Sequence, residues 1–277
     1  MSILQINTNR PQPAHDLALT TAIEIGAGML VICEPNKKGI EGRNDWTYDE
    51  ELDTAIKVLD QTIPLKEQGK GNGFSFVETT TFTVYSCYTS PNRGAQELEA
   101  LLQRIANCIR SRGEDAIVSG NFNAKSSQWG MKRTDRRGKI LTEWLAQNDL
   151  IVQNNGDKLT FIRREYGSIL DLNLATNTIG SRIRQWKVRE RESLSDHNYV
   201  TFDIIEKSRP LRRNQRQTGW NTRKLGRDKL QNAIDDIAES QNALAAEEFS
   251  SRLGQLCNRC MPKRKKRWRK TTHVLVE

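Results

Sequence analysis

The apolar runs "GFSFVE" (73–78) and "FTVYSCY" (82–88) are separated by only three residues. Parallel strands need a crossover of roughly a dozen residues or more, so these two pair as an antiparallel hairpin. A purely parallel, doubly wound sheet is excluded, and neither G-x-G-x-x-G nor G-x-x-x-x-G-K-[ST] occurs to argue for one. Further β-branched or aromatic runs predict strands at "ILQIN" (3–7), "MLVICE" (29–34), "AIVSGNF" (116–122), "LIVQN" (150–154), "LDLNLAT" (170–176), "RQWKVR" (184–189) and "YVTFDII" (199–205). Helices are predicted over 14–27, with Leu17, Ile23 and Ile25 as an apolar stripe, over 95–111 and over 136–148. In the second of these, Leu98, Leu101, Leu102, Ile105 and Ile109 recur at helical spacing. Many strands with few helices indicate an α/β domain in which two sheets pack together with helices outside.

Composition narrows the class. The chain has 277 residues, 36% of them hydrophobic, with a mean hydropathy of −0.69. That is enough for one large domain plus an appendage. No apolar run approaches the length of a membrane span. The start, "MSILQINTNRPQ", lacks a basic residue followed by a long apolar segment, so no signal peptide is expected. Cys33, Cys87 and Cys108 fall in apolar segments and read as small buried hydrophobes of a reducing compartment. Cys257 and Cys260 form one CxxC pair with His273 nearby, short of the four ligands a structural zinc site takes.

Charge divides the chain. Residues 1–206 hold 25 Lys/Arg against 27 Asp/Glu, whereas residues 207–277 hold 18 against 7. The net charge of +9 is a property of the tail, concentrated in "RPLRRNQRQ" (209–217) and "KRKKRWRK" (263–270). Such clusters suit a nuclear-localisation signal and contact with a phosphate backbone alike. A nuclear location is expected, and DNA affinity should reside largely in the tail. Residues 228–260 carry a helical pattern through Leu230, Ile234, Ile237, Leu244, Phe249, Leu253 and Leu256.

Several polar residues sit where apolar strands end: Asn7 after "ILQI", Glu34 after "MLVIC", and Asn121 and Asn123 after "AIVSG". Asp171 lies inside "SILDLNLAT", and Asp196-His197 precede "YVTF". Each alone reads as a turn or strand cap. Glu34 resists that reading, because a carboxylate behind five mostly apolar residues is costly to bury unless paired or bound to a cation. One or two carboxylates with water is the ligand set Mg²⁺ prefers. Spacing alone does not show which of these residues meet.

The strings "LQINTNR", "VICEP", "SCYTSPN", "SGNFNAKSSQWG", "RRGKILTEWL", "LTF", "SILDLNLAT" and "LSDHNYVTF" follow one another in this order. In this the chain resembles the endonuclease domain of non-LTR retrotransposons of the R1/Jockey type. That family belongs to the exonuclease-endonuclease-phosphatase superfamily and has the DNase I-like fold. The resemblance covers residues 1–205 and implies a four-layer α/β sandwich of two mixed, mostly antiparallel sheets. It makes residues 206–277 a basic, partly helical linker preceding an absent reverse transcriptase. It implies an Mg²⁺-dependent nuclease, with Mn²⁺ as an alternative ion, that acts on double-stranded DNA.

By the same resemblance Glu34, helped by Asn7 and Asp196, holds the ion, and Tyr88 and Asn123 bind phosphate or water. Asp171 orients His197, which stabilises the transition state. Ser168 supports the same site and contacts DNA, and Arg10 and the "RTDRR" segment (133–137), with Arg133 and Arg136 foremost, contact the DNA backbone. The family carries aspartate where this chain has Asn121, in G-D-F-N, to orient and deprotonate the attacking water. An amide cannot take that proton, so activity is expected to be impaired. A DNA-binding remnant without turnover, and a phosphoesterase acting on a non-nucleic substrate, are the competing readings.

Overall fold

In the computed structural model the chain divides into two compact units, Met1–Ser208 and Arg209–Glu277. The structure describes residues 1–113, 115–205, 224–226, 228–231 and 255–261. Two six-stranded sheets make up the first unit. One contains β1 (Ser2–Asn7), β2 (Met29–Cys33), β3 (Thr47–Tyr48), β4 (Thr54–Val58), β13 (Ile183–Arg189) and β14 (Tyr199–Ile204), in the order β13-β14-β1-β2-β4-β3. The other contains β5 (Leu65–Gly71), β6 (Phe74–Thr79), β7 (Thr83–Tyr88), β8 (Ala116–Asn121), β9 (Leu150–Val152) and β12 (Asp171–Thr176), in the order β5-β6-β7-β8-β12-β9. A separate hairpin joins β10 (Phe161–Arg163) to β11 (Tyr166–Ser168). Among the described residues only β1–β2 and β7–β8 pair in parallel.

Three apolar clusters show how the layers stack. Ile3, Val31, Ile56, Val77, Val84, Ile117 and Phe202 fill the space between the sheets. The outer face of the first sheet, through Leu4, Ile6, Leu30 and Ile32, is covered by α1 (Gln12–Glu24). The outer face of the second, through Tyr85, Val118 and Leu172, is covered by α3 (Ala95–Arg112) and α4 (Arg136–Gln147). Central strands are therefore buried on both faces, which is why "MLVIC" is apolar without alternation. This is the four-layer α/β sandwich the sequence led us to expect.

A polar bridge crosses the inter-sheet layer. Asn173 Nδ2 donates to Gln5 Oε1 of the opposite sheet (2.6 Å) and to Ser119 Oγ (2.8 Å), and its Oδ1 accepts from Trp186 Nε1 (2.8 Å). Gly120 permits the close approach of β7 and β8: a Cβ there would lie 1.9 Å from the Cys87 carbonyl oxygen. Cys33 and Cys87 are fully buried and free, as expected for small hydrophobes.

Two details depart from the sequence reading. The buried face of α1 is Ala14, His15, Ala18, Thr21 and Ala22, whereas Ile23 is 62% exposed. Leu17 and Ile23 stand six residues apart, about 120° round a 3.6-residue helix from one another, so they do not share one face. The alanines, four apart, let the helix lie close on the sheet. The strands β3, β4 and β5 also escape the apolar pattern. β5, "LKEQGKG", is an edge strand whose charged side chains face solvent.

In the second unit, residues 228–231 and 255–260 are helical, with Leu256 and Cys260 buried. The remaining helical pattern of 228–260, His273 and both basic clusters lie outside the described residues. Among the described residues no helix is long and apolar enough to cross a membrane.

His15 is buried beside Trp46, ring centroids 5.1 Å apart. Burial pushes its pKa down, and Arg43 and Lys57 act in the same direction against Asp16. The native state therefore binds this proton less readily than the unfolded chain. Stability should be fully present above about pH 6.5 and fall as pH drops towards the folded pKa. Urea unfolding at pH 7.0 and 5.5 should show that loss, and it should shrink in His15→Gln. An identical pH dependence in the variant would show that other groups carry it.

Candidate active site

β1 and β2 run in parallel with Asn7 opposite Cys33, so their C-terminal ends coincide and Glu34 emerges beside Asn7. Likewise β7 and β8 are parallel with Tyr88 opposite Asn121, and antiparallel β12 sets Asp171 across from Asn121. Four strand ends from two sheets thus meet at one edge of the sandwich. They open onto a cleft of about 630 Å³. Of the residues singled out from sequence, Glu34, Tyr88, Asn121, Asn123, Ser168, Asp196 and His197 line it.

Glu34 is held in a left-handed backbone conformation, φ 47°. Its amide N–H donates to Asp53 O (2.8 Å), and its carbonyl accepts from Thr8 Oγ1 (2.7 Å) and Arg10 N (2.8 Å). Asn7 Nδ2 donates to Glu34 Oε2 at 2.9 Å, while Asn7 Oδ1 accepts from Asn9 N at 2.8 Å. The Tyr88 hydroxyl is pushed to higher pKa by burial and by its bond to the Glu34 carboxylate. It is a neutral donor at physiological pH.

The Asp171 carboxylate meets His197 Nδ1 at 2.7 Å, with both side chains buried. Burial opposes charge on the imidazole, but Asp171 outweighs it and the net pKa is raised. The ring packs on Phe161, centroids 4.9 Å apart. Its loop is tied by Ser193 Oγ to His197 O (2.6 Å) and by Ser195 Oγ to Asn7 O (2.8 Å). Asp171 Oδ1 is buried without a hydrogen-bond partner among the described residues.

Asn123 also has a left-handed backbone, φ 46°. Its N–H donates to Asn121 Oδ1 (2.9 Å) and its Nδ2 to Thr89 O (3.0 Å). The amide oxygen of Asn121 is thus engaged in a turn of its own. Asp196 lies 3.7 Å from Arg163 Nε of β10, so the hairpin borders the cleft.

The predicted DNA contacts fare unequally. Arg133 and Arg136 are exposed and are not lining residues of the cleft. Arg10 is turned inward: its Nη2 binds Asp53 Oδ1 at 2.7 Å and its Nε lies 3.7 Å from Glu34. It is a counter-charge to that carboxylate pair.

The sequence reading did not single out Thr160, Lys125 or Arg163, and it named Arg137 only as part of the segment 133–137. Thr160, inside "LTF", is fully buried, and its Oγ1 accepts from the N–H groups of Leu170 and Asp171, both at 3.0 Å. Arg137, Lys125 and Arg163 line the cleft.

Among the described residues no three His, Cys, Asp or Glu side chains gather as a metal site. The donors present are oxygens: the Glu34 carboxylate, Asp196, and the second lone pair of Asn7 Oδ1. That set fits a hard cation which keeps most of its water, and not a soft one.

The family model described as Endonuclease-reverse transcriptase matches residues 82–201, which carry Tyr88, Asn121, Asn123, Asp171 and His197. The endonuclease domain of TRAS1, a telomere-specific non-LTR retrotransposon, superposes with a TM-score of 0.65 at 28% identity. The match covers 74% of this chain and 99% of that one. The fold is that of the TRAS1 endonuclease domain, and the family model and this structure point to the same group of endonucleases. The exonuclease-endonuclease-phosphatase fold is shared more widely. A 3′ phosphatase, NExo from Neisseria, bound to product DNA hairpin, matches at TM-score 0.60 and 14% identity. An AP endonuclease from Archaeoglobus fulgidus matches at 0.58 and 12%. Each match covers 74% of this chain and 100% of the other. No curated protein matches the sequence.

In this fold, Thr160→Ala leaves two buried N–H groups, those of Leu170 and Asp171, unpaired. It should cost about 1–3 kcal/mol in urea unfolding, whereas Thr160→Ser, which keeps the hydroxyl, should cost less than half as much. Equal losses would assign the effect to the methyl group instead.

Proposed function

We propose that the domain hydrolyses phosphodiester bonds of double-stranded DNA by nicking, and that Asn121 leaves it slow. The observation that carries this reading is the buried Asp171–His197 pair, whose imidazole lines the same cleft as Glu34. The reading is supported by the match of residues 82–201 to the Endonuclease-reverse transcriptase family model, by the likeness to the TRAS1 endonuclease domain, and by the product DNA hairpin bound to the Neisseria enzyme of the same fold.

Glu34, with Asn7 and Asp196, would hold a divalent cation, Mg²⁺ or Mn²⁺. When bound, that ion neutralises charge building on the phosphate oxygens. The chain's own residues do the rest. Tyr88, a neutral donor beside Glu34, hydrogen-bonds a phosphate oxygen. His197, oriented by Asp171 through Nδ1, presents Nε2–H as a donor to an oxygen of the pentavalent phosphorus centre, where fixed donors act strongly. Asn123 positions phosphate or water. Ser168, at the foot of the hairpin, contacts the same strand.

The attacking water must lose a proton, and here the chain is deficient. Asn121 can accept a hydrogen bond from that water but cannot take its proton. Asp196 is the remaining candidate among the predicted residues, and Arg163 stands against it. Loss of a general base costs roughly 10²–10⁴ in rate.

Supercoiled plasmid incubated with Mg²⁺ tests the proposal. Asn121→Asp should nick about 10²–10⁴ times faster than the chain as it stands. If the aspartate variant does not nick, the endonuclease assignment fails. If the unaltered chain already nicks as fast, Asn121 is compensated. A DNA-binding remnant is the second reading, and Asn121 is the feature that favours it; duplex binding without turnover in the unaltered chain would support it. A phosphoesterase of the same fold would release phosphate from a soluble ester and leave plasmid intact. Residues 206–277 fit a basic linker towards a reverse transcriptase domain, their clusters serving nuclear entry and backbone contact.

A further inference from the structure

Arg137 lies in the first turn of α4, where the helix dipole disfavours a positive charge. Helix stability therefore does not account for it. Its guanidinium instead reaches back across two loops at the strand ends. Nη1 donates to Arg93 O (2.8 Å), and Nη2 to Phe122 O (3.0 Å), Thr89 Oγ1 (3.0 Å) and Thr89 O (3.5 Å). Every acceptor is neutral. The other guanidiniums near the cleft are spent on carboxylates: Arg10 on Asp53, Arg93 on Glu51, Arg163 on Asp196. Asp135 also lines the cleft, but its Oδ1 accepts from Gly138 N (2.6 Å) and Lys125 N (3.2 Å).

We propose that Arg137 is the fixed cation of the cleft, seating an oxygen of a substrate phosphate while orienting Asn123. The charge has no counter-ion in contact, is half-buried, and faces the cleft beside Lys125. Orientation follows from Thr89: its carbonyl accepts from Arg137 and from Asn123 Nδ2 together, which fixes which way the Asn123 amide points. Only a planar fork spans three carbonyls and a hydroxyl at once, so lysine cannot replace it in that second role. The inference rests on the reading of this cleft as a phosphodiester site.

Binding of a short DNA duplex to the full chain in EDTA, followed by fluorescence anisotropy across salt concentrations, tests it. Each phosphate neutralised adds about 0.9 to the slope of log K against log salt. Arg137→Gln should lower that slope by about 0.9, so its deficit relative to the unaltered chain shrinks about threefold between 50 and 200 mM salt. Arg137→Lys should keep the slope. Arg110→Gln, at the far end of α3 where Arg110 binds Asn107 and Asn148, should change nothing. An unchanged slope in Arg137→Gln, with the unaltered chain binding normally, overturns the inference alone. Loss of slope in the lysine variant as well would assign the effect to geometry and overturn the charge role. Failure of the unaltered chain to bind duplex would overturn the DNA reading itself.

Should Arg137→Gln not fold, guanidinium NMR of the unaltered chain decides. The Arg137 signal must shift on adding duplex, and an unshifted signal contradicts the proposal.

Discussion

The hydrogen bonds of Asn173 hold the active edge together. One amide group on β12 donates to Gln5 in the opposite sheet and to Ser119 on its neighbour. Apolar packing between sheets is nondirectional and would tolerate small slides. A buried amide that must satisfy its partners does not, because an unpaired group costs roughly 1–3 kcal/mol. With the sheets fixed in this way, the ends of β1, β2, β7 and β8 coincide, and residues from Glu34 to His197 reach one cleft. Chemistry that looks scattered along the chain is a consequence of that registration.

Electrostatics then divides the cleft. Acidic groups gather at one side, Glu34 behind Tyr88 and Asp171 behind His197, each held in place by hydrogen bonds. Two of the side chains that matter sit on left-handed backbone, Glu34 and Asn123. Such conformations are uncommon for residues other than glycine and collect at sites where direction matters more than local stability. Around Glu34 the strain is offset by three backbone bonds from the loops carrying Thr8, Arg10 and Asp53. Asn121 is the residue on which the proposed slow turnover depends. Its Oδ1 closes the turn to Asn123. An amide there accepts a hydrogen bond but takes no proton.

Much of this was legible in the sequence. The central strands announced themselves because they are buried on both faces, and the strand-end residues because polar groups interrupt apolar runs. What the sequence hid has physical reasons. The α1 face is built from alanines and His15, so hydrophobicity pointed to the wrong side of the helix. β5 is a charged edge strand without an apolar pattern. Thr160 acts through backbone groups distant in sequence, which no spacing rule reveals, and the same is true of the bonds that hold Arg137. Arg10 was expected to contact DNA, and only the fold shows that Asp53 pairs with it.

The account depends most on the claim that Glu34 anchors a divalent ion in the same cleft as His197. Anomalous diffraction from crystals soaked in Mn²⁺ tests this directly. The account predicts a single strong peak about 2.0–2.2 Å from a Glu34 carboxylate oxygen, within the cleft. A peak elsewhere with none at Glu34, or no peak at saturating Mn²⁺, would contradict it.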